Sequence, residues 1–135
     1  MSRLLLLALL MFPVIAQAEL TIDHAWIKNL PPTVPVRAGY MTIVNPAKQA
    51  VSIVSFSSDA FSSIDMHETV MKDGMMHMQH VPELTIEAGA KVTLAPGGMH
   101  MMMEPVKPTI TGEQINITIK LSDGSQQTVI FTVEQ

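Results

Sequence analysis

Two segments near the C-terminus set the fold class. Residues 114–121 alternate Ile115, Ile117, Ile119 and Leu121 with polar neighbours, and residues 127–133 alternate Val129, Phe131 and Val133 on the opposite parity. A period of two is the signature of a strand, so each segment has one apolar face for a core and one face for water. Ser122-Asp123-Gly124-Ser125 between them is a hairpin turn signal. Further strand-like runs cover 20–29, 39–45, 51–56, 64–71 and 91–94. Pro31-Pro32, Pro35, Pro46, Pro82, Pro96-Gly97-Gly98, Pro105 and Pro108 punctuate the rest of the chain. No stretch keeps a 3.6-residue apolar period over helix length. Short strands with frequent turns predict an all-β, Greek-key sandwich or barrel.

The first residues read as a secretory leader. Arg3 is a small basic n-region, residues 4–12 are apolar, Pro13 breaks the run, and Ala16-Gln17-Ala18 is a small-residue cleavage site. The apolar run is shorter than the roughly 20 residues that span a bilayer. Residues 1–18 are therefore expected to be a cleaved signal peptide. A lipoprotein anchor would need a cysteine after the cleavage site, and the chain has none. The mature protein is expected to be exported, without a membrane span, and to begin at Glu19. Removing 18 of 135 residues leaves 117, the size of one domain, 19–135. Without Arg3 the count is seven basic against twelve acidic residues, a net charge of −5. No basic patch suits nucleic acid and no polybasic face suits anionic lipid. A monomer is expected.

Nine of the twelve methionines fall between residues 66 and 103: Met66, Met71, Met75, Met76, Met78, Met99, Met101, Met102 and Met103. His67, His77, His80 and His100 are interleaved with them. Thioether and imidazole together suit copper(I) better than zinc, magnesium or calcium. Asp73-Gly74 signals a two-residue hairpin loop. That loop would pair Lys72 with Met75, Met71 with Met76, Thr69 with Met78 and His67 with His80. His67, Met71, Met76, Met78 and His80 would then share one face, with His67 and Met78 diagonal neighbours roughly 7–8 Å apart at the backbone. Met75 and His77 would fall on the other face. His100 and Met102, two residues apart, share a face in an extended segment, and Met99, Met101 and Met103 point the opposite way.

Methionine more often fills irregular core space than binds metal, and Met41 is read so. For Met99, Met101 and Met103, core filling and a surface copper-handling role weigh evenly. Met78 and Met102 gain a metal reading only because His67 and His100 accompany them. His80 is the runner-up ligand, while His24 and His77 read as surface polar residues. Asp65 and Glu68 read as solvated; as hard donors they bear mainly on copper(II). A blue-copper centre needs a cysteine thiolate, which is absent. A copper oxidase that uses its own N-terminal histidine is excluded by a start at Glu19. The chain also lacks Cys-x-x-Cys-His, His-Glu-x-x-His, a glycine-rich phosphate loop and a Gly-x-Ser-x-Gly elbow. No catalytic nucleophile is nominated, and an enzyme is the least expected class.

His67 is followed after ten residues by Met78, after twenty-one more by His100, and after one more by Met102. In this spacing the chain resembles the periplasmic copper chaperones of the PCu(A)C family, whose motif is His-x10-Met-x21-His-x-Met. Ala25-Trp26-Ile27, Tyr40-Met41 with Asn45, Glu68, Pro96-Gly97-Gly98 and Gly112 add to the likeness. The resemblance implies a cupredoxin-like β-sandwich that binds one copper(I) through His67, Met78, His100 and Met102. It implies delivery to the dinuclear CuA centre of cytochrome c oxidase subunit II, often alongside a Sco-type thiol protein. The competing expectation is a copper-sequestration protein with no dedicated oxidase acceptor. The extra donors, with His77 and His80 beside Met78, leave room for a second, weaker copper site, copper(II) included, or a hand-over path. Imidazole must be neutral to bind, so copper(I) affinity should fall as pH drops through about 6.5.

Overall fold

The computed structural model describes residues 19–135, so the expected signal peptide lies outside the described residues. Ten strands form: β1 Thr21–Lys28, β2 Arg37–Val44, β3 Val51–Ser57, β4 Phe61–Lys72, β5 Met75–His80, β6 Leu84–Ile86, β7 Lys91–Leu94, β8 Met99–Pro105, β9 Gln114–Leu121 and β10 Gln126–Glu134. Among the described residues there is no helix. The strands follow one path, β5-β4-β8-β2-β1-β10-β9-β3-β6, and β7 pairs β2 alongside it. All pairings are antiparallel except β1 with β10. The fold is the expected all-β, cupredoxin-like one.

One buried cluster joins the two ends of the path. Ile64 and Met66 of β4 and Met101 and Met103 of β8 belong to it, as do Ile53 of β3, Ile117 and Ile119 of β9 and Phe131 of β10. The sheet therefore curls over a shared core. The alternation in β9 is realised literally, because Ile115, Ile117, Ile119 and Leu121 are all buried.

Three departures from the expected segments have local causes. The register of β1 with β2 shifts between Asp23 and Trp26, where His24 has φ 41°, so a bulge interrupts the predicted run. The three-residue β6 was not expected, since so short a segment carries no periodic signal. Residues 99–105, expected as strand or loop, are a strand bonded to both β4 and β2.

The feature that positions the site is the long β4–β5 hairpin. Asp73 and Gly74 both have positive φ, 52° and 75°, as a two-residue type I′ turn requires. The register is the expected one: Lys72 faces Met75, Met71 faces Met76, Thr69 faces Met78 and His67 faces His80. Every residue of β5 is exposed, and β5 is the edge of the sheet.

Candidate metal centre

β4 lies between β5 and β8, and His67 has a histidine on each side. It is in register with His80 on β5 and with His100 on β8. The His67 and His100 rings stand 6.0 Å apart between centroids, inclined at 27°. The His67 and His80 rings stand 5.8 Å apart, inclined at 68°. Residues in register share a face, so one row of imidazoles crosses three strands. Met102 is in register with Asp65, two residues before His67, and Met78 with Thr69, two residues after it. The two thioethers therefore flank the imidazole row on the same face.

Strand alternation sorts the β8 methionines. Met101 and Met103 point into the core, fully buried, while His100 and Met102 point outward. Met99 is half-buried and packs against the core cluster. The even weighing for these three resolves to packing. Met66 and Met41 are core residues too.

His100 points away from the core but is only 7% exposed. Its outer side faces a pocket of about 220 Å³, walled by Leu30, Val36 and Tyr40 together with Met78 and Met102. His100 Nδ1 lies 3.0 Å from the carbonyl of Gly98. A carbonyl only accepts, so Nδ1 carries the proton and Nε2 presents its lone pair. Nε2 is buried and has no hydrogen-bond partner. Buried nitrogens are rarely left so, and a metal ion is one of the few partners that an imidazole lone pair accepts in an apolar pocket. A histidine whose second nitrogen donates to a backbone carbonyl is the usual arrangement of a metal ligand. Met78 and Met102 line the pocket with His100, and His67 stands beside His100 outside its lining, so the neighbouring donors are two imidazoles and two thioethers. That set suits a soft monovalent ion.

Arg37 was not singled out from the sequence, yet it lines the same pocket and is 2% exposed. Its guanidinium donates to Thr109 Oγ1 at 2.8 Å and to the carbonyls of Val34 and Val36 at 2.8 and 2.9 Å. It ties the segment before β2 to the segment after β8. Nothing in the local sequence distinguishes this arginine from a surface one. Burial pushes the phenol pKa of Tyr40, another wall residue, above its ordinary value.

The remaining candidates separate clearly. His80 is exposed, and its Nε2 stands 3.9 Å from Asp65 Oδ1, too long for a hydrogen bond. His77 is exposed on the opposite face of the hairpin from His67. His24 is exposed and pairs with Glu134 at 3.2 Å. Among the described residues, no three histidine or carboxylate side chains gather around one point, so a histidine–carboxylate site is not preformed. A larger cleft of about 420 Å³ lies between residues 47–51 and 121–123 but has no histidine or methionine in its walls.

These features can be set against known proteins. The profile of the LpqE-like family, a family of lipoprotein-like sequences, matches residues 20–133. The chain belongs to the LpqE-like family. A Leifsonia xyli subsp. xyli protein named "Putative lipoprotein Lxx21020" is 34% identical to this LpqE-like chain over 115 residues, 84% of the chain and 68% of the relative. DR1885 of Deinococcus radiodurans, solved in solution in its CuI form, is 36% identical, with a TM-score of 0.71 over 88% of this chain and 81% of that one. The copper-bound PCuAC domain of PmoF2 has the same fold at 21% identity, with a TM-score of 0.73 over 87% of this chain and 95% of that domain. The LpqE-like chain is thus built as PCuAC-type copper-binding domains are.

Proposed function

We propose that residues 19–135 form an exported, periplasmic domain that binds one copper(I) ion through His67, Met78, His100 and Met102. In this reading the ion is cargo, passed by ligand exchange to the CuA centre of cytochrome c oxidase subunit II, with a Sco-type protein as a second partner. The observation that carries the reading is the bare, buried Nε2 of His100 in a pocket shared with Met78 and Met102. The CuI form of a 36% identical relative supports it.

The four side chains divide the labour by exposure. His100 is buried and its ring is held by Gly98, so it serves as the fixed anchor. Met78 is 60% exposed on an edge strand and has a flexible, uncharged side chain. It is the arm that an incoming donor displaces first. Two neutral imidazoles and two thioethers leave the complex with the single charge of copper(I), which an apolar pocket tolerates better than a divalent charge.

The test mixes copper(I)-loaded protein with apo subunit II under anaerobic conditions. Transfer is expected with the parent, and Met78→Ala should both weaken copper(I) retention against a chromogenic chelator and alter the transfer rate. Retention without transfer would favour sequestration, a reading that the exposed thioethers of Met71, Met75 and Met76 also fit. Failure to compete with the chelator would dismiss both.

A further inference from the structure

We propose a second copper(I) site at the far end of the β4–β5 hairpin, formed by the thioethers of Met71, Met76 and Met78. It rests on copper(I) being the cargo of the first site, with which it shares Met78.

Burial divides the methionine cluster into two populations. Met66, Met101 and Met103 are core side chains at 0–3% exposure, whereas Met71, Met75, Met76 and Met78 are 60–68% exposed. The second group does no packing work, and a two-stranded ribbon at a sheet edge gains nothing from large apolar side chains in water. Such a cluster of exposed apolar residues marks contact with something. The register specifies the geometry. Met71 and Met76 are directly opposed, which puts their Cβ atoms roughly 4.5–5.5 Å apart. Met78, two residues from Met76 on the same strand, projects from the same face. Three unbranched side chains with freely turning thioethers can close over one ion from that base.

The chemistry of the donors selects the ion. Three neutral sulfurs favour a soft monovalent cation such as copper(I) and give little to zinc or copper(II). On this face Thr69 separates Met71 from His67, and His80, two residues beyond Met78, lies toward His67 and away from the Met71–Met76 pair, while Met75, His77 and Lys72 project to the other side. Met78 lies between Met71–Met76 and the wall of the His100 pocket. An ion could therefore step from tip to pocket by exchanging the Met71 and Met76 sulfurs for His67, His100 and Met102 while Met78 stays bound. The hairpin becomes a loading and unloading arm.

Selective labelling of the methionine ε-methyl groups in the full mature chain tests this directly. At one equivalent of copper(I), the Met78 and Met102 methyl signals should shift. At a second equivalent, Met71 and Met76 should shift and Met78 should move again as the second lone pair of its sulfur turns to the new ion and the thioether bridges the two, with buried Met66, Met101 and Met103 unmoved. The double variant Met71→Leu/Met76→Leu keeps exposed apolar bulk, and should bind one equivalent instead of two with its first-equivalent shifts unchanged. A double variant that still binds two, or a second equivalent that leaves Met71 and Met76 unmoved, overturns the proposal. In the latter case the exposed methionines are a protein-docking patch. Absence of the Met102 shift at one equivalent would instead count against the first site, so the two failures are distinguishable.

Discussion

His100→Leu should make the metal-free protein more stable while abolishing the proposed copper(I) binding. Leucine is of similar size and would sit in a pocket walled by Leu30, Val36, Met78 and Met102. The substitution removes a buried nitrogen with no partner, a burden of about 1–3 kcal/mol. It also removes the Nδ1–Gly98 hydrogen bond, worth about 0.5–1.5 kcal/mol net. The Gly98 carbonyl is not orphaned, because the Thr69 amide still donates to it at 3.3 Å. The balance is a gain of about 1 kcal/mol, or roughly 3–5 °C in Tm for a domain of this size. Copper(I) acts in the opposite sense. A ligand at a thousand times its Kd stabilises the native state by about 4 kcal/mol, and that increment should appear in the parent and vanish in the variant. Anaerobic urea unfolding of both proteins, with and without copper(I), measures all four stabilities. If metal-free His100→Leu is less stable than the parent by 1 kcal/mol or more, His100 is a structural residue and the reading of its bare nitrogen is wrong.

Other outcomes follow from the same geometry. Met101→Ala empties a fully buried position at the centre of β8 and should cost about 2–5 kcal/mol in urea unfolding, whereas Met76→Ala, on the exposed edge, should cost less than about 0.5 kcal/mol. Arg37→Leu leaves the carbonyls of Val34 and Val36 and the Thr109 hydroxyl without their donor, so a loss of about 2–4 kcal/mol is expected; a neutral result would mean that the guanidinium does not hold the pocket wall. Gly39→Ala would drive a methyl group into Met103 Cε and against Met101, and overpacking there should destabilise by about 1–3 kcal/mol. Tyr40 is the sole tyrosine, so phenolate absorbance reports it without ambiguity. Its folded-state pKa is raised by burial, so the stability it contributes is full below the unfolded value near 10 and is lost as pH rises through the raised one. Ionisation at the ordinary pH without loss of stability would contradict that.

The hairpin was legible because its information is local. Asp73-Gly74 dictates a two-residue turn, the turn dictates the register, and the register places His67, Met78 and His80 on one face. The outward pairing of His100 with Met102 was legible for a similar reason, since it needs only a strand's period of two. What lay beyond reach was long-range. That β8 lies beside β4, with His100 in register with His67, depends on the whole sheet path. The division of the methionines between core and edge depends on which strands are covered, and Met99, Met101 and Met103 carried no sign of it until β8 was found between two neighbours. Arg37 was invisible because its burial comes from segments some seventy residues away, as the Thr109 contact shows. The bulge at His24 and the brief β6 are tertiary accommodations without sequence period.

X-ray absorption of the mature protein loaded with one equivalent of copper(I) addresses the four-ligand centre most directly. Nitrogen and sulfur scattering in equal numbers is expected, with His100→Leu losing nitrogen and Met102→Leu losing sulfur. A sulfur-only shell in the parent, or a spectrum unchanged by His100→Leu, would contradict a centre in which the buried imidazole is the anchor.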